Sequence, residues 1–279
     1  MTADQYLHGI LLREAVDAGP NSPLLGVQST LMPTLRQWAG DHLLGVYPSG
    51  SFMKGTAVRS GTDIDLFLSL SEHTNETLKE VYNKLFDCLT SAGYSPQRQN
   101  VSLNITVPRT AGAQAPIAAA WNSEYSVDLV PGKRQNALSS DHSLYRRRAD
   151  TWTKTNISTH ARMVVGAGRA NEIRIVKLWR NQNGLDFPSF YLELSVIRAL
   201  APKPLPGLLS YDPGATLAQR VMTVFDYLVD SFPAARIADP ANSNNIISDD
   251  LTAHEKAKVS AAAKAAKEAA ASSWEDIVR

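Results

Sequence analysis

Between Gly50 and Leu70 the chain reads GSFMKGTAVRSGTDIDLFLSL, and the end of that stretch narrows the fold more than any other part of the sequence. Asp63 to Leu70 alternates almost without a break. Along an extended strand successive side chains take opposite faces, so Ile64, Leu66, Leu68 and Leu70 point one way. Asp63 and Asp65 point the other way, about 7 Å apart. Such a strand lays its apolar face on a core and keeps two carboxylates on the other face. It is preceded by a Gly50-Ser51 turn, which follows the short apolar run Leu43 to Tyr47. Phe52 to Thr56 is predicted to begin a short helix whose free N–H groups face a phosphate. Paired carboxylates beside a Gly-Ser turn suit a divalent cation and a polyphosphate. Magnesium takes oxygen ligands and shares its site with waters and substrate phosphates. Either element alone is common on solvated surfaces; their order and spacing carry the information.

A second alternating run, Tyr125 to Val130 (YSVDLV), stops at Pro131-Gly132. Ser126, Asp128 and Val130 share one face, and Tyr125, Val127 and Leu129 the other. If this strand pairs beside Asp63–Leu70, Asp128 joins Asp63 and Asp65. Three carboxylates that close repel and have raised pKa values unless cations sit between them. Two Mg²⁺ ions about 4 Å apart make electrostatic sense of the cluster.

The 279 residues suffice for one large domain or two lobes. With 28 basic and 27 acidic side chains, the net charge of +1 gives no overall footprint for stable nucleic-acid binding. The single cysteine, Cys88, excludes an intramolecular disulfide and a cysteine-rich zinc site. No apolar run reaches the roughly 18 residues of a membrane span, and the N-terminus has no signal-peptide core. A cytoplasmic protein without a membrane partner is the expectation.

Helical periodicity covers residues 4–18, with Leu7, Ile10, Leu11 and Ala15 on one stripe, and Leu24 to Ala39, broken or entered at Pro33. Asn75 to Ala92 is a further helix, stopped at Gly93. Ser102 to Val107 reads as a half-buried strand, and Thr110 to Ala118 as a loop or hairpin connection. The second half is predicted helical. Asp141 to Thr155 carries Arg146, Arg147 and Arg148, which fan out on a solvated face. Asn171 to Gly184 puts Arg174, Lys177 and Asn181 on a polar face. A helix starts around Pro188, where Ser189 can face a phosphate. Pro202 to Pro213 is a connection, Thr216 to Phe232 a helix, and Asp239 to Asp250 a polar loop. The last helix is alanine-rich and opened by a Thr252/Glu255 capping box, with Trp274 and Ile277 pinning its end.

Gly50-Ser51, Gly55-Thr56 and Asp63-x-Asp65 in this order resemble the signature of the polymerase-beta-type nucleotidyltransferase superfamily. The blocks KLWRNQNGLDFPSFYLEL and DPANSNN-to-Thr252 resemble the branch holding oligoadenylate synthetases and archaeal-type CCA-adding enzymes. The strands GTAVRSGTDIDLF and VDLVPG and the helix IVKLWR are most similar to bacterial cGAS/DncV-like nucleotidyltransferases, the CD-NTases. The likeness spans roughly residues 45–279.

The resemblance implies an α+β fold: a polymerase-beta-like core, with a mixed sheet flanked by helices, plus a helical, oligoadenylate-synthetase-like C-terminal lobe. Residues 1–165 would form the catalytic lobe with its N-terminal helices, and 166–279 the helical lobe closing the nucleotide cleft. It further implies that Gly50 and Ser51 bind the donor triphosphate. Asp63 and Asp65 would ligate both Mg²⁺ (or Mn²⁺) ions, and Asp128 the ion beside the attacking hydroxyl. Lys177 and Ser189 would contact donor phosphates and Tyr191 would stack on a base. The implied reaction condenses NTPs, ATP among them, into a cyclic oligonucleotide with release of pyrophosphate. The product would reach an effector protein in anti-phage (CBASS-type) signalling, with a regulatory protein as a further partner. The animal-type zinc insertion and the RNA-binding domains of CCA-adding enzymes are missing from the pattern. Alternatives are linear oligonucleotide synthesis, nucleotide addition to tRNA or protein, and a non-catalytic scaffold; intact carboxylates and the Gly-Ser turn speak against the last.

Overall fold

A computed structural model describes residues 1–17, 19, 22–61, 63–108, 124–201, 204–205, 208–209, 214–270 and 272–279. The expected connection at Thr110–Ala118 and most of that at Pro202–Pro213 lie outside these residues. In chain order the helices are α1 (Ala3–Arg13), α2 (Pro23–Ala39), α3 (Gly50–Lys54), α4 (Leu78–Ser91), α5 (Ile157–Gly166), α6 (Ala170–Gln182), α7 (Ser189–Ala199), α8 (Leu217–Asp230) and α9 (Ala253–Ala270). The main strands are β1 (Leu43–Pro48), β2 (Ile64–Leu70), β3 (Gln97–Arg98), β4 (Leu103–Pro108), β5 (Glu124–Arg134), β6 (His142–Arg146) and β7 (Thr151–Thr155). The chain divides into two compact units. One comprises Val16–Met53 and Thr62–His160, the other Met1–Ala15, Lys54–Gly61 and Ala161–Arg279.

The first unit is a seven-stranded mixed sheet with helices on it. Its strands run β1-β2-β5-β4-β3, and β6 joins β5 and carries β7 at the far edge. Only the β2–β5 pairing is parallel; the others are antiparallel. A parallel pair requires a crossover connection, and α4 lies in that stretch of chain. Ile64, Leu66 and Leu68 of β2, Leu103, Ile105 and Val107 of β4, and Val127 and Leu129 of β5 form the buried face. Leu24, Val27, Leu31 and Leu35 of α2 and Tyr82, Leu85 and Leu89 of α4 close over it. Pro33 does not break α2, which runs through it. The helix α4 begins later than periodicity suggests because Thr77 is its N-cap. The Thr77 hydroxyl accepts from the Glu80 N–H and the Glu80 side chain accepts from the Thr77 N–H.

Two local expectations are corrected. Asp141–Thr155 is a β-hairpin, not a helix, pairing Tyr145 with Trp152 and Arg146 with Thr151. Threonines at 151, 153 and 155 beside Trp152 favour strand, and Arg147 and Arg148 sit on its turn, where Asp150 adopts φ 45°. Strand β5 does not stop at Pro131-Gly132 but continues to Arg134, with Pro131 opposite Leu68. The polar stretch after Ile237 also contains a small antiparallel pair, Ala238–Asp239 with Asn242–Ile246.

The second unit is helical. Trp179, Phe187, Tyr191, Phe225 and Phe232 form its aromatic centre, with ring centroids 5.0 to 5.2 Å apart in contacting pairs. Leu7, Ile10 and Leu11 of α1 belong to this core, and the Arg174 guanidinium donates to the Leu11 carbonyl at 2.8 Å. That packing groups α1 with the C-terminal helices. A Thr216/Gln219 capping box opens α8, and Thr252 and Glu255 cap α9 reciprocally as the sequence predicts. No helix among the described residues is long and apolar enough to cross a membrane.

Candidate active site

In the sheet unit the polar face of β2 and β5 carries the acidic residues. Asp65 and Asp128 are direct register partners in the parallel pair, so their side chains leave the sheet on the same side. Asp63 is exposed and immediately precedes the strand. Burial pushes the Asp128 carboxyl above the usual carboxylate range; Asn104 pulls it down and the Asp63 charge pushes it up. Val127 and Leu129 are buried in the core, so alternation along β5 places the half-buried Asp128 on the opposite face.

Backbone geometry at Gly50 brings the Gly-Ser turn against Asp65. Gly50 has φ +54°, and a Cβ built on it would lie 1.8 Å from Asp65 Oδ2. Only a residue without a side chain lets Asp65 rest there. The Ser49 N–H donates to the Asp65 carbonyl at 2.9 Å, which fixes where the turn leaves the sheet. Ser51 is half-buried in the single helical turn of α3. Gly50, Ser51, Asp63, Asp65 and Asp128 thus all belong to the sheet unit, with Gly50 against Asp65 and Asp65 in register with Asp128.

The donor set of the three aspartates is all oxygen, which fits a hard divalent cation. Among the described residues, however, no three His, Cys, Asp or Glu side chains converge closely enough to hold one as they stand. Asp128 is held by Asn104. Asn104 Nδ2 donates to Asp128 Oδ1 at 2.9 Å and to Ser126 Oγ at 2.9 Å. The expected alternation on Ser102–Val107 contains Asn104, whose position opposite Asp128 needs the β4–β5 register.

Lys177, Ser189 and Tyr191 lie in the helical unit. Lys177 is not on a polar face: it is 3% exposed and its ammonium donates to Glu193 Oε1 at 2.6 Å and Thr56 Oγ1 at 3.0 Å. Burial pushes its pKa down, while the Glu193 carboxylate opposes that shift. Burial also acts against ionised Glu193, but Lys177 and Lys54 together hold its pKa below the ordinary value. Lys54 Nζ donates to Glu193 Oε2 at 2.8 Å. Ser189 is exposed at the first position of α7, and its hydroxyl accepts from Arg180 Nη1 at 3.0 Å.

Tyr191 requires a correction. It is 0% exposed, with its ring packed against Phe187 and Phe232, so no face remains for a base. The residue before it, Phe190, is half-buried, with Lys54 Nζ 4.4 Å from its ring centroid. Of the residues in this cluster, spacing points to Thr56 alone, through the Gly55-Thr56 pair, and not to Lys54, Arg180 or Glu193. Lys54 and Thr56 flank Gly55 inside the noted signature, which was their only local signal.

No family model matches the chain. A curated relative, the cyclic AMP-AMP-AMP synthase of Escherichia coli (strain MS 115-1), is 26% identical over 244 residues, covering 78% of this chain and 71% of its own. Among solved structures, the Bradyrhizobium diazoefficiens CD-NTase CdnG in complex with GTP superposes with TM-score 0.72 at 12% identity, over 98% of this chain and 93% of that one. E. coli MS115-1 CdnC with ATP gives TM-score 0.69 at 20% identity, with the same coverage, and is also solved in a CdnC:HORMA-deltaN complex. The chain therefore has the mixed α+β fold of the polymerase-beta-type nucleotidyltransferases, and within them resembles the CD-NTases.

Proposed function

We propose that this CD-NTase-like nucleotidyltransferase condenses NTPs into a cyclic oligonucleotide, releasing pyrophosphate. The observation that carries the reading is the pairing of Asp65 with Asp128 on one sheet face, with Asp65 seated against the Gly50 turn. The curated relative, a cyclic AMP-AMP-AMP synthase, supports a cyclic product and ATP among the substrates.

Asp63, Asp65 and Asp128 would hold Mg²⁺. A divalent ion held by these three carboxylates would supply Lewis-acid assistance to an attacking ribose hydroxyl and to the departing pyrophosphate. The Gly50-Ser51 turn orients the donor triphosphate, and Asn104 keeps Asp128 aimed along the sheet's polar face. Phosphoryl transfer demands little covalent chemistry from the protein, so in-line positioning supplies most of the rate. Ser189 is the helical unit's candidate for a phosphate contact. The product is proposed to act on a separate effector in the cytoplasm during anti-phage signalling, with a regulatory protein controlling synthesis.

Incubation with labelled NTPs and Mg²⁺, followed by phosphatase and mass spectrometry, tests this. Phosphatase-resistant small products are expected, and Asp65→Ala and Asp128→Ala should abolish them. Phosphatase-sensitive chains would replace the cyclic reading with a linear one, and label on protein or RNA would replace it with macromolecular modification. Unchanged products in both variants would leave the carboxylate pair without its proposed role.

A further inference from the structure

The signature includes Gly55-Thr56, yet the reaction outlined above gives that pair nothing to do. In the helical unit Thr56 belongs to a buried charged cluster. Glu193, on α7, is wholly buried and its carboxylate receives three donors: Lys177 Nζ at 2.6 Å, Thr56 Oγ1 at 2.7 Å and Lys54 Nζ at 2.8 Å. The side chains of Lys54, Lys177 and Glu193 are 11%, 4% and 1% exposed. One carboxylate thus faces two nearly dry ammonium groups. Arg180 and Asp186 at the edge of the cluster do not remove the excess, since they carry opposite charges.

Packing alone does not account for this arrangement. A buried ion pair contributes little to stability relative to apolar side chains of the same shape, because desolvation offsets the Coulomb gain. An uncompensated positive charge in such a place makes the balance worse, and is relieved when an anion arrives. The donors of the two lysines are also spent differently. An ammonium has three N–H groups. Lys177 directs its own at Glu193, the Thr56 hydroxyl and, at 3.5 Å, the Thr56 carbonyl. Lys54 gives one to Glu193 and rests its charge on the Phe190 ring, which leaves it capacity for an oxygen anion. It also ends the helical turn that begins at Gly50-Ser51.

We infer that Glu193 is a positioning residue that, with Lys177 and Thr56, holds the Lys54 ammonium in place for a phosphate group of the nucleotide. This rests on the nucleotidyltransferase reading and deepens it: Lys177 becomes part of the anchor, and Lys54 becomes the cation that meets the anion. The excess charge of the cluster is the complement of that phosphate.

The test is calorimetric binding of a non-hydrolysable analogue of each NTP, and of inorganic tripolyphosphate, in the presence of Mg²⁺. Glu193→Gln keeps the side chain's shape but removes the charge between the lysines. It should weaken the preferred analogue and tripolyphosphate alike, by tenfold or more. Glu193→Asp should recover part of the loss, and Thr56→Val should show a smaller loss in the same direction. In a Lys54→Met background, Glu193→Gln should add less than threefold, as expected of residues acting through one group. Unchanged affinity in Glu193→Gln, a loss confined to the analogue and spared for tripolyphosphate, or additive losses with Lys54→Met would overturn the assignment. If Glu193→Gln does not fold, Thr56→Val decides the matter, and unchanged tripolyphosphate binding in it overturns the assignment. A wild-type chain that binds no NTP analogue overturns the nucleotidyltransferase reading itself, a distinguishable failure.

Discussion

Replacing Gly50 with alanine tests the geometry at the centre of the site. Two costs can be separated. The backbone at φ +54° is left-handed, which costs an L residue about 1–2 kcal/mol. The new Cβ would also lie 1.8 Å from Asp65 Oδ2 and 2.3 Å from Asp65 Cγ, whereas real Cβ contacts essentially never fall under 3.0 Å. The carboxylate must therefore retreat by roughly 1.2 Å or more, and a misplacement of about 1 Å at a reacting centre costs on the order of 10²-fold in rate. That corresponds to about 2.7 kcal/mol of transition-state stabilisation.

Gly93 supplies the control within the same unit. Its φ is +88°, but a Cβ there meets nothing within 4 Å. Gly93→Ala should lower the melting temperature while leaving turnover unchanged. Gly50→Ala should lower both, with pyrophosphate release at saturating NTP falling about 10²-fold. Turnover within threefold of wild type in Gly50→Ala, or an equal loss in Gly93→Ala, would falsify the claim that Asp65 works from its seat against the turn.

Further expectations concern single groups. Asn104→Ala removes the donor to Asp128 Oδ1, an interaction with a charged group worth about 1.5–3 kcal/mol. It should raise the Mg²⁺ concentration needed for half-maximal turnover, and an unchanged Mg²⁺ titration counts against its positioning of Asp128. His142 is buried, accepts or donates a 2.8 Å bond at Ser69 Oγ, and has its pKa pushed down, chiefly by burial. Its folded pKa lies below the unfolded one near 6.5, so the neutral ring's contribution is complete above that pH and is lost as pH falls below it. Melting temperatures should drop between pH 7 and 5 in wild type and less steeply in His142→Asn. Burial pushes the Tyr191 hydroxyl up, and that hydroxyl has no hydrogen-bond partner among the described residues. Tyr191→Phe should therefore leave stability unchanged or raise it by about 1 kcal/mol, read by denaturant unfolding, with NTP affinity unaltered.

The placement of Asp65 and Asp128 on one sheet face was legible because strand periodicity is strict. Once Ile64, Leu66 and Leu68 must be buried, Asp65 has only one face left, and Val127 and Leu129 place Asp128 by the same rule. What the pattern could not supply was which strands are neighbours; Asn104 became part of the site only through the β4–β5 register. Helices carry weaker information. A lysine flanked by Val176 and Leu178 reads as solvated when its partner, Glu193, is on another helix and therefore invisible to local spacing. Tyr191 failed for the complementary reason. A block match aligned an aromatic with a role, but the helical phase that buries Leu192 and Val196 also turns Tyr191 inward and leaves Phe190 half-exposed. At Asp141–Thr155 the run of arginines suggested a helix face, while alternating threonines carried the stronger strand signal.

These successes and failures share a cause that bears on how the two sets of charges work. Asp65 and Asp128 are fixed by backbone pairing, a constraint that survives whether or not the carboxylates have partners. Lys54, Lys177 and Glu193 are fixed by one another, because at 11% exposure or less none of them can rely on water. Substitution should consequently propagate differently in the two places. Loss of Asp128 removes one proposed metal ligand and leaves Asp65 where the sheet holds it, so folding should be little disturbed while turnover disappears. Loss of Glu193 strands two buried cations, so Lys54, Lys177 and local stability should fail together. Melting curves of Asp128→Ala and Glu193→Ala side by side distinguish these cases. An equal fall in both would mean that the acidic face is held by its own charges rather than by the sheet.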